Sequence, residues 1–424
     1  LIGTGAGDAL TSESYVTALG TFAGSAINHT DANGTTLVGY SAGLAVTSGI
    51  GNTLVGYSAG GAITTSNQNT AVGHNALSQH VGGGSNTAIG HEALSQTAGS
   101  SAATSAYNIA IGRSALGGDW ADATSDKNIA IGCFSMDAVL NDANNNIAIG
   151  YNSLTALTTG DQNVVIGTDA GGTIDAGSNN VIIGYQAGDG CSANSTMTLI
   201  GALAGGAINN DTANCTTAVG YQSLGALTSG AQNVALGCQA GDTLTTGGEN
   251  TILGYACDVA SNDNNNNVII GNNLTATDKD NAVFIGNDTN HIENDFNADA
   301  TWNYSSDERQ KKDIENDTLG LDFIKDLRPV TYKHKSPSEF PKEWKAYNAD
   351  DKEPMGGDKV IHGLIAQEVK QALDKQGVDT FGGWSIGDDG RQRISTEKMV
   401  MPLIKAVQEL SAKVEDLEKQ LKDK

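Results

Sequence analysis

The first 305 residues hold almost no positive charge. Arg113, Lys127 and Lys279 are the only basic side chains there, against 24 acidic ones, a net of −21. From Ser306 onward there are 21 basic and 24 acidic side chains, a net of −3, which completes the whole-chain −24. Proline is missing from the same early region: Pro329, Pro337, Pro341, Pro354 and Pro402 all come late. Cysteine is missing from the late region: Cys133, Cys191, Cys215, Cys238 and Cys257 all come early. Three residue classes shifting together place a domain boundary near 290–306.

Each shortage excludes something. A region with three cations cannot neutralise a row of phosphates, which excludes an electrostatic grip on nucleic acid or on an anionic membrane surface. No apolar run approaches the ~20 residues of a membrane-spanning helix. The cysteines have irregular spacing and no metal-ligand pattern, so they read as small packed side chains and not as a disulfide set. His74 and His91 share their repeat position with Tyr, Arg and Cys, so they read as solvated and not as metal ligands. No cofactor and no metal is expected.

What fills the early region is a repeat. "NTLVGYSAG", "NTAVGHNAL", "NTAIGHEAL", "NIAIGRSAL" and "NVIIGYQAG" are five of its copies. The anchoring glycine recurs 17 times from Gly3 to Gly286, most often 17 residues apart, as at Gly39, Gly56, Gly73 and Gly90. A fixed period in this range marks a solenoid, in which each repeat buries itself on its neighbours. The chain opens on "LIGTG", the middle of a repeat, which points to a start further upstream.

The residue types predict strand. Each copy has a short aliphatic run ending at the glycine, then a turn rich in Gly, Ser, Thr, Asn and Asp. The residue before the glycine is Ile, Val or Leu in every copy, and the one before that is also apolar. Neighbouring residues of a strand point to opposite faces. Both faces therefore expect burial, one inside the coil and one against another body, of which an identical chain is the simplest. The glycine suits positive φ or close approach. Asn stands four residues before it in 11 copies, Asn52, Asn69 and Asn163 among them, and stacked Asn side chains form hydrogen-bonded ladders. One rung per repeat at ~4.8 Å predicts a shaft of roughly 80 Å. The Asn/Asp-rich turns at 141–146 and 261–267 offer oxygen donors suited to calcium and are equally ordinary turn residues.

The repeats resemble the head repeats of trimeric autotransporter adhesins, with a longer period, and similar repeats occur in phage tail fibres. The region after Ser306 resembles the C-terminal intramolecular chaperone of phage tail fibres and tailspikes, the endosialidase-type autoprotease family. Four blocks carry the likeness in order: "SDERQK" (306–311), "LRPVTYKHK" (327–335), "HGLIAQEV" (362–369) and a closing heptad pattern. The fold class expected is a trimeric β-solenoid shaft over 1–290, a junction over 291–305, and a smaller α+β domain over 306–424 ending in a coiled coil from about 397. Leu403, Val407, Leu410, Val414, Leu417 and Leu421 step by 4, 3, 4, 3, 4, which is a heptad seam.

The resemblance implies a homotrimer that the domain folds in register, then self-cleavage between Ser305 and Ser306 by a dyad of Ser306 and Lys311. Asp307 and Arg309 match the motif and are expected to orient the site. Serine needs a base, and a lysine serves only where burial or nearby charge lowers its pKa. Five residues along an α-helix is about 500°, or ~140° of net rotation, the wrong face for contact. Either Ser306 lies in an extended lead-in, or its lysine comes from a neighbouring chain. The adjacent serines also allow a cut at Tyr304–Ser305. Trp302 is expected to pack at the end of the shaft.

The function this implies is a virion tail fibre that is structural and binds an unknown host-surface receptor, with no membrane insertion. A glycan-degrading tailspike would need paired carboxylates in a cleft, whereas Asp119, Asp161, Asp211 and Asp263 sit in variable turns. A bacterial surface adhesin would end in a membrane β-barrel, not in a charged heptad tail.

Overall fold

The computed structural model describes residues 1–424 apart from 11–14, 29–31, 97–103, 122, 297–305, 343, 345–346, 355–356, 388–389 and 424. The chain divides into two compact units, Leu1–Ser305 and Ser306–Lys424.

The first unit is a parallel β-solenoid. Thirteen three-residue strands run from β1 (Thr17–Leu19) to β13 (Val234–Leu236), followed by the longer β14 (Thr251–Tyr255), β15 (Val268–Asn272) and β16 (Ala282–Asn287). Each pairs in parallel with the next, one repeat on, so that Leu54 faces Leu37 and Ala71, and Ile182 faces Val165 and Leu199. The aliphatic run supplies the strand and the polar half supplies the return.

The anchoring glycine is fixed by its backbone. Gly56 has φ 141, and a Cβ there would collide with the carbonyl oxygen of Gly73 one rung on. Successive rungs approach too closely for any side chain.

The coil is narrow. From Ala18 onward the residue two before each glycine points inward and is buried, as at Leu37, Leu54, Ala71 and Ile182. Ala59 and Ile63 fill the rest of that rung's interior. The buried Asn forms the expected ladder. Asn69 N–H donates to Asn52 Oδ1 at 2.9 Å, and Asn86 N–H to Asn69 Oδ1 at 2.9 Å. Asn52 Nδ2 also donates to Ser66 O at 2.9 Å, and Asn69 Nδ2 to Gly83 O at 3.1 Å. Each ladder Asn thus satisfies backbone groups that a strand of three residues leaves unpaired.

Only the inner sheet face is covered within one chain. The outward position before the glycine stays open, with Leu19 at 44%, Ile89 at 38% and Leu236 at 41% exposure. The other outward position of each strand is Thr, Ile or Val, as at Thr53, Ile129 and Val181. A parallel sheet with an outer face of uncharged aliphatic and threonine side chains is unusual, because such sheets are normally covered on both sides.

The sheet continues past residue 290, into the stretch that composition marks as junction. There β17 (His291–Asp295) pairs antiparallel with β16, with Ile292 opposite Ile285. It closes the last edge of the coil and presents charged side chains beyond it.

The cysteines are all free, as expected, but only Cys191 and Cys257 are buried, while Cys133 and Cys215 are exposed. The Asn/Asp-rich turns are a second ladder. Asp126 N–H donates to Asn144 Oδ1 at 2.7 Å, and Asn144 N–H to Asp161 Oδ1 at 2.6 Å. Gly248 N–H donates to Asn265 Oδ1 at 2.8 Å, and Asn265 N–H to Asp280 Oδ1 at 2.6 Å. These oxygens are engaged by backbone, and among the described residues no three His, Cys, Asp or Glu groups are placed to hold a metal ion.

The second unit is α+β. Its elements are α1 (Leu321–Asp326), β18 (Val330–Tyr332), β19 (Ile361–Gly363), α2 (Ala366–Lys375), β20 (Trp384–Ile386), β21 (Gln392–Ile394) and α3 (Val400–Lys422). β18 pairs antiparallel with β19, and β20 with β21. Leu319, Phe323, Val369, Leu373 and Met399 form its core. α1 is capped from α3: Glu409 Oε2 accepts the Leu321 N–H at 2.8 Å. α2 ends at Lys375 and is capped by Gln376, followed by Gly377 at φ 69, the left-handed exit that glycine favours. α3 is ~35 Å long at 1.5 Å per residue. It buries Pro402 and Ala406 against its own unit. Its heptad residues face away, with Leu403 46%, Val414 47% and Leu421 74% exposed.

Candidate self-cleavage site

Ser306 opens the second unit, and Asp307 after it is extended at φ −65, ψ 135. Asp307 caps a single 3-10 turn, Glu308–Gln310, and Lys311 leaves it in extended conformation at φ −113, ψ 146. The cap follows from residue type, because an Asp side chain can accept the N–H two residues on. Here Asp307 Oδ1 accepts the Arg309 N–H at 2.8 Å. The Arg309 guanidinium folds back on the same carboxylate, with Nε at 2.9 Å from Oδ1 and Nη2 at 2.7 Å from Oδ2.

This clamp sets the local electrostatics. The Arg309 hydrogen bonds hold the Asp307 carboxyl below the usual carboxylate range, and Asp307 raises Arg309 in return. Arg309 is exposed and Asp307 half-buried, and the pair remains charged.

The short turn brings the two reactive side chains together. Lys311 Nζ donates to Ser306 Oγ at 2.7 Å within one chain. A continuous α-helix would have separated them. One 3-10 turn flanked by extended residues does not, because five residues then no longer follow a 100° step. Ser306 and Lys311 are both exposed in the single chain. Ser305, on the other side of the expected cut, lies outside the described residues, as do Tyr304 and Trp302.

Residues 306–378 match the family described as chaperone of endosialidase. No curated protein and no solved structure matches the chain. The match begins at Ser306 and ends one residue past the glycine that stops α2, so it spans the serine–lysine turn, α1, the β18–β19 pair and α2. A β-solenoid followed by a chaperone-of-endosialidase domain is the organisation of a tail-fibre-like protein. Within the chaperone domain, Arg328 pairs with Glu368 and Lys375 with Asp326, which ties α2 to the segment before β18. The heptad residues of α3 lie beyond the matched segment.

Three arrangements in the shaft escape a reading by residue type. Tyr40, Tyr57, His74 and His91, each directly after its glycine, stack as a column with centroids 5.2, 5.0 and 5.1 Å apart. The fixed offset from the glycine was the available signal. His80 is fully buried, with Nε2 at 3.0 Å from Gly83 O and 3.1 Å from Asn86 Nδ2, and burial lowers its pKa to about 4. Asp258 is buried, its two oxygens accept the Thr243 and Val259 N–H groups at 2.9 and 2.8 Å, and burial raises its pKa to about 6, with the neighbouring Asp242 carboxyl adding to the rise.

Proposed function

We propose that this chain is a segment of a phage tail fibre whose C-terminal domain assembles three chains in register and then cuts itself off between Ser305 and Ser306. The observation that carries the cleavage is the 2.7 Å contact between Lys311 Nζ and Ser306 Oγ at the first residues of the chaperone domain.

Ser306 is well placed for its own peptide bond. Its Oγ reaches the carbonyl carbon of residue 305 by closing a five-membered ring through its own backbone nitrogen. A neutral Lys311 amine takes the hydroxyl proton as Oγ attacks. The C–N bond breaks, its electron pair stays on the Ser306 nitrogen, and the proton passes to that nitrogen. The product is an ester between residue 305 and Ser306 Oγ, which water hydrolyses to a free carboxylate and the serine hydroxyl.

The exposed dyad ties this chemistry to assembly. Lysine becomes a base by burial or by neighbouring positive charge. One chain supplies little burial here, so neighbouring chains supply the cover. Two apolar surfaces support the trimer: the uncharged outer face of the β1–β16 sheet and the exposed seam of α3. Three heptads are marginal alone, and the folded domain holds their helices together. The mature fibre then serves in host attachment on the virion.

The test is the intact and native mass of freshly made protein beside Ser306→Ala. Two fragments split before Ser306 from the parent, one intact chain from the variant and trimers from both are expected. An uncut trimeric parent would remove the cleavage and keep the chaperone. A monomer would sink the fibre reading.

A further inference from the structure

Along the shaft the ladder asparagines serve the coil: their amides bond rung to rung, and Asn144 and Asn265 in the turns accept backbone N–H groups. Others, such as Asn145 and Asn179, stand singly at the surface. At the last rungs several exposed asparagines gather around one concavity. Asn272, Asn273 and Asn290 are exposed, and their side-chain amides have no partner among the described residues. With Thr275, Asn287 and Asp288 they line a concavity of about 630 Å³. That lies within the ~300–1,000 Å³ usual for small-molecule sites.

The walls are held in place. Asn287 Oδ1 accepts the N–H groups of Thr289 and Asn290 at 3.0 and 2.7 Å. Its Nδ2 is thereby left as an oriented donor. Asp288 Oδ1 accepts the Thr275 N–H at 3.4 Å, and Asp288 N–H donates to Asn273 O at 3.2 Å. The turn between β16 and β17 therefore forms one rigid side of the concavity.

Beside it stands Tyr255, in register with Asn272, which is itself in register with Asn287. The row spans two rung spacings, ~10 Å. Tyr40 and Tyr57 are stacked between other rings, whereas Tyr255 has no ring partner among the described residues and is 49% exposed.

The chemistry narrows the ligand. Lys279, the one cation of the last rungs, is paired with Glu293 at 3.5 Å, so nothing here recognises an anion. One carboxylate among the liners is too few for a hard divalent cation, which takes six to eight oxygens with several carboxylates. Amide groups donate and accept at once, as sugar hydroxyls do, and a tyrosine ring offers an apolar face. The geometry points to a binding site for a neutral saccharide of two or three rings at Tyr255, Asn272, Asn273 and Asn287. This rests on the host-recognition part of the proposed function and on neither cleavage nor trimer.

Saturation-transfer NMR on the full chain tests it, with maltose, lactose and cellobiose as neutral probes and sialyllactose as the anionic one. Transfer to ring protons of at least one neutral disaccharide is expected. It should fall at least fivefold in Asn272→Ala/Asn273→Ala and stay unchanged in Gln186→Ala, with all three proteins melting alike. Should the double variant melt early, Tyr255→Ser takes its place with the same expected fall. No neutral transfer, transfer equal in the variants, or transfer from sialyllactose alone would overturn the site. Native mass on the same samples reads assembly and cleavage separately, so failure of the fibre reading is distinguishable from failure of this one.

Discussion

Lys311 Nζ stands 2.7 Å from Ser306 Oγ in the same chain. A dyad complete within one chain makes a prediction that a shared dyad does not. In the proposed trimer, co-expressed Ser306→Ala and Lys311→Ala chains would mix so that every chain lacks one member. The cis geometry predicts no cleavage in any of them. Fragments on a denaturing gel from the mixture would show that lysine crosses between chains.

The clamp on Asp307 yields a second expectation. Its carboxylate holds the turn through three hydrogen bonds from Arg309. Asp307→Ala frees the turn and should slow cleavage by a factor of ten or more without altering the mass of the assembled trimer. Asp307→Asn keeps the backbone cap and should be affected less. Timed sampling after synthesis reads the rates, and equal rates for parent and Asp307→Ala would remove Asp307 from a positioning role.

The ladder gives a stability prediction. Asn163 Nδ2 donates to Gly177 O at 2.8 Å, and Asn163 Oδ1 accepts the Asn180 N–H at 3.1 Å. Asn163→Ala strands both groups inside the coil, at about 1–3 kcal/mol each. Urea unfolding of the shaft should move to lower concentration. Asn163→Asp accepts from Asn180 but cannot donate to Gly177, and a buried charge adds its own cost, so it should do no better than alanine. An unchanged midpoint would show that the ladder contributes nothing net.

Much of this is legible in the sequence, and the reason is repetition. Seventeen copies of the glycine make the period plain, and two adjacent apolar positions before it locate the strand. The Asn ladder followed from a single recurring offset. In the chaperone domain, Pro329 and Gly377 fence β18 and α2 as turn chemistry requires. What residue type could not show is anything set by the cross-section of the coil. Asp242 and Asp258 come together because they occupy neighbouring offsets in successive rungs, and a linear reading has no measure of that distance. Residue types leave the serine–lysine contact open between two routes, because the choice depends on whether Asp307 starts an α-helix or a single 3-10 turn.

The α3 seam supplies a test of assembly. Leu410 and Leu417 are 51% and 57% exposed in one chain, and in the proposed trimer they would be buried between chains. Leu410→Asp with Leu417→Asp should convert the trimer to monomer by native mass and abolish cleavage with it, since the dyad would lose its cover. Each buried leucine lost costs about 2–5 kcal/mol per chain. A double variant that remains trimeric would remove the coiled coil and leave the sheet face as the sole interface.

His80 and Asp258 pull the shaft in opposite directions with pH. Burial holds His80 neutral, with its pKa down to about 4 from 6.5. Its contribution is complete above pH 6.5 and is lost as pH falls through about 4, and a shift of that size is worth roughly 3 kcal/mol. Burial favours the protonated form of Asp258, with its pKa up to about 6 from 3.8, and the neighbouring Asp242 carboxyl adds to the rise. Its contribution is complete below about pH 3.8 and is lost as pH rises through about 6. His80→Gln should therefore flatten the fall in melting temperature between pH 6.5 and 4. Asp258→Asn should raise the melting temperature at pH 7 and leave it unchanged near pH 3.5. Thermal melts of the three proteins across that range decide it. Parallel curves for parent and His80→Gln would mean that the imidazole is protonated in the folded shaft after all.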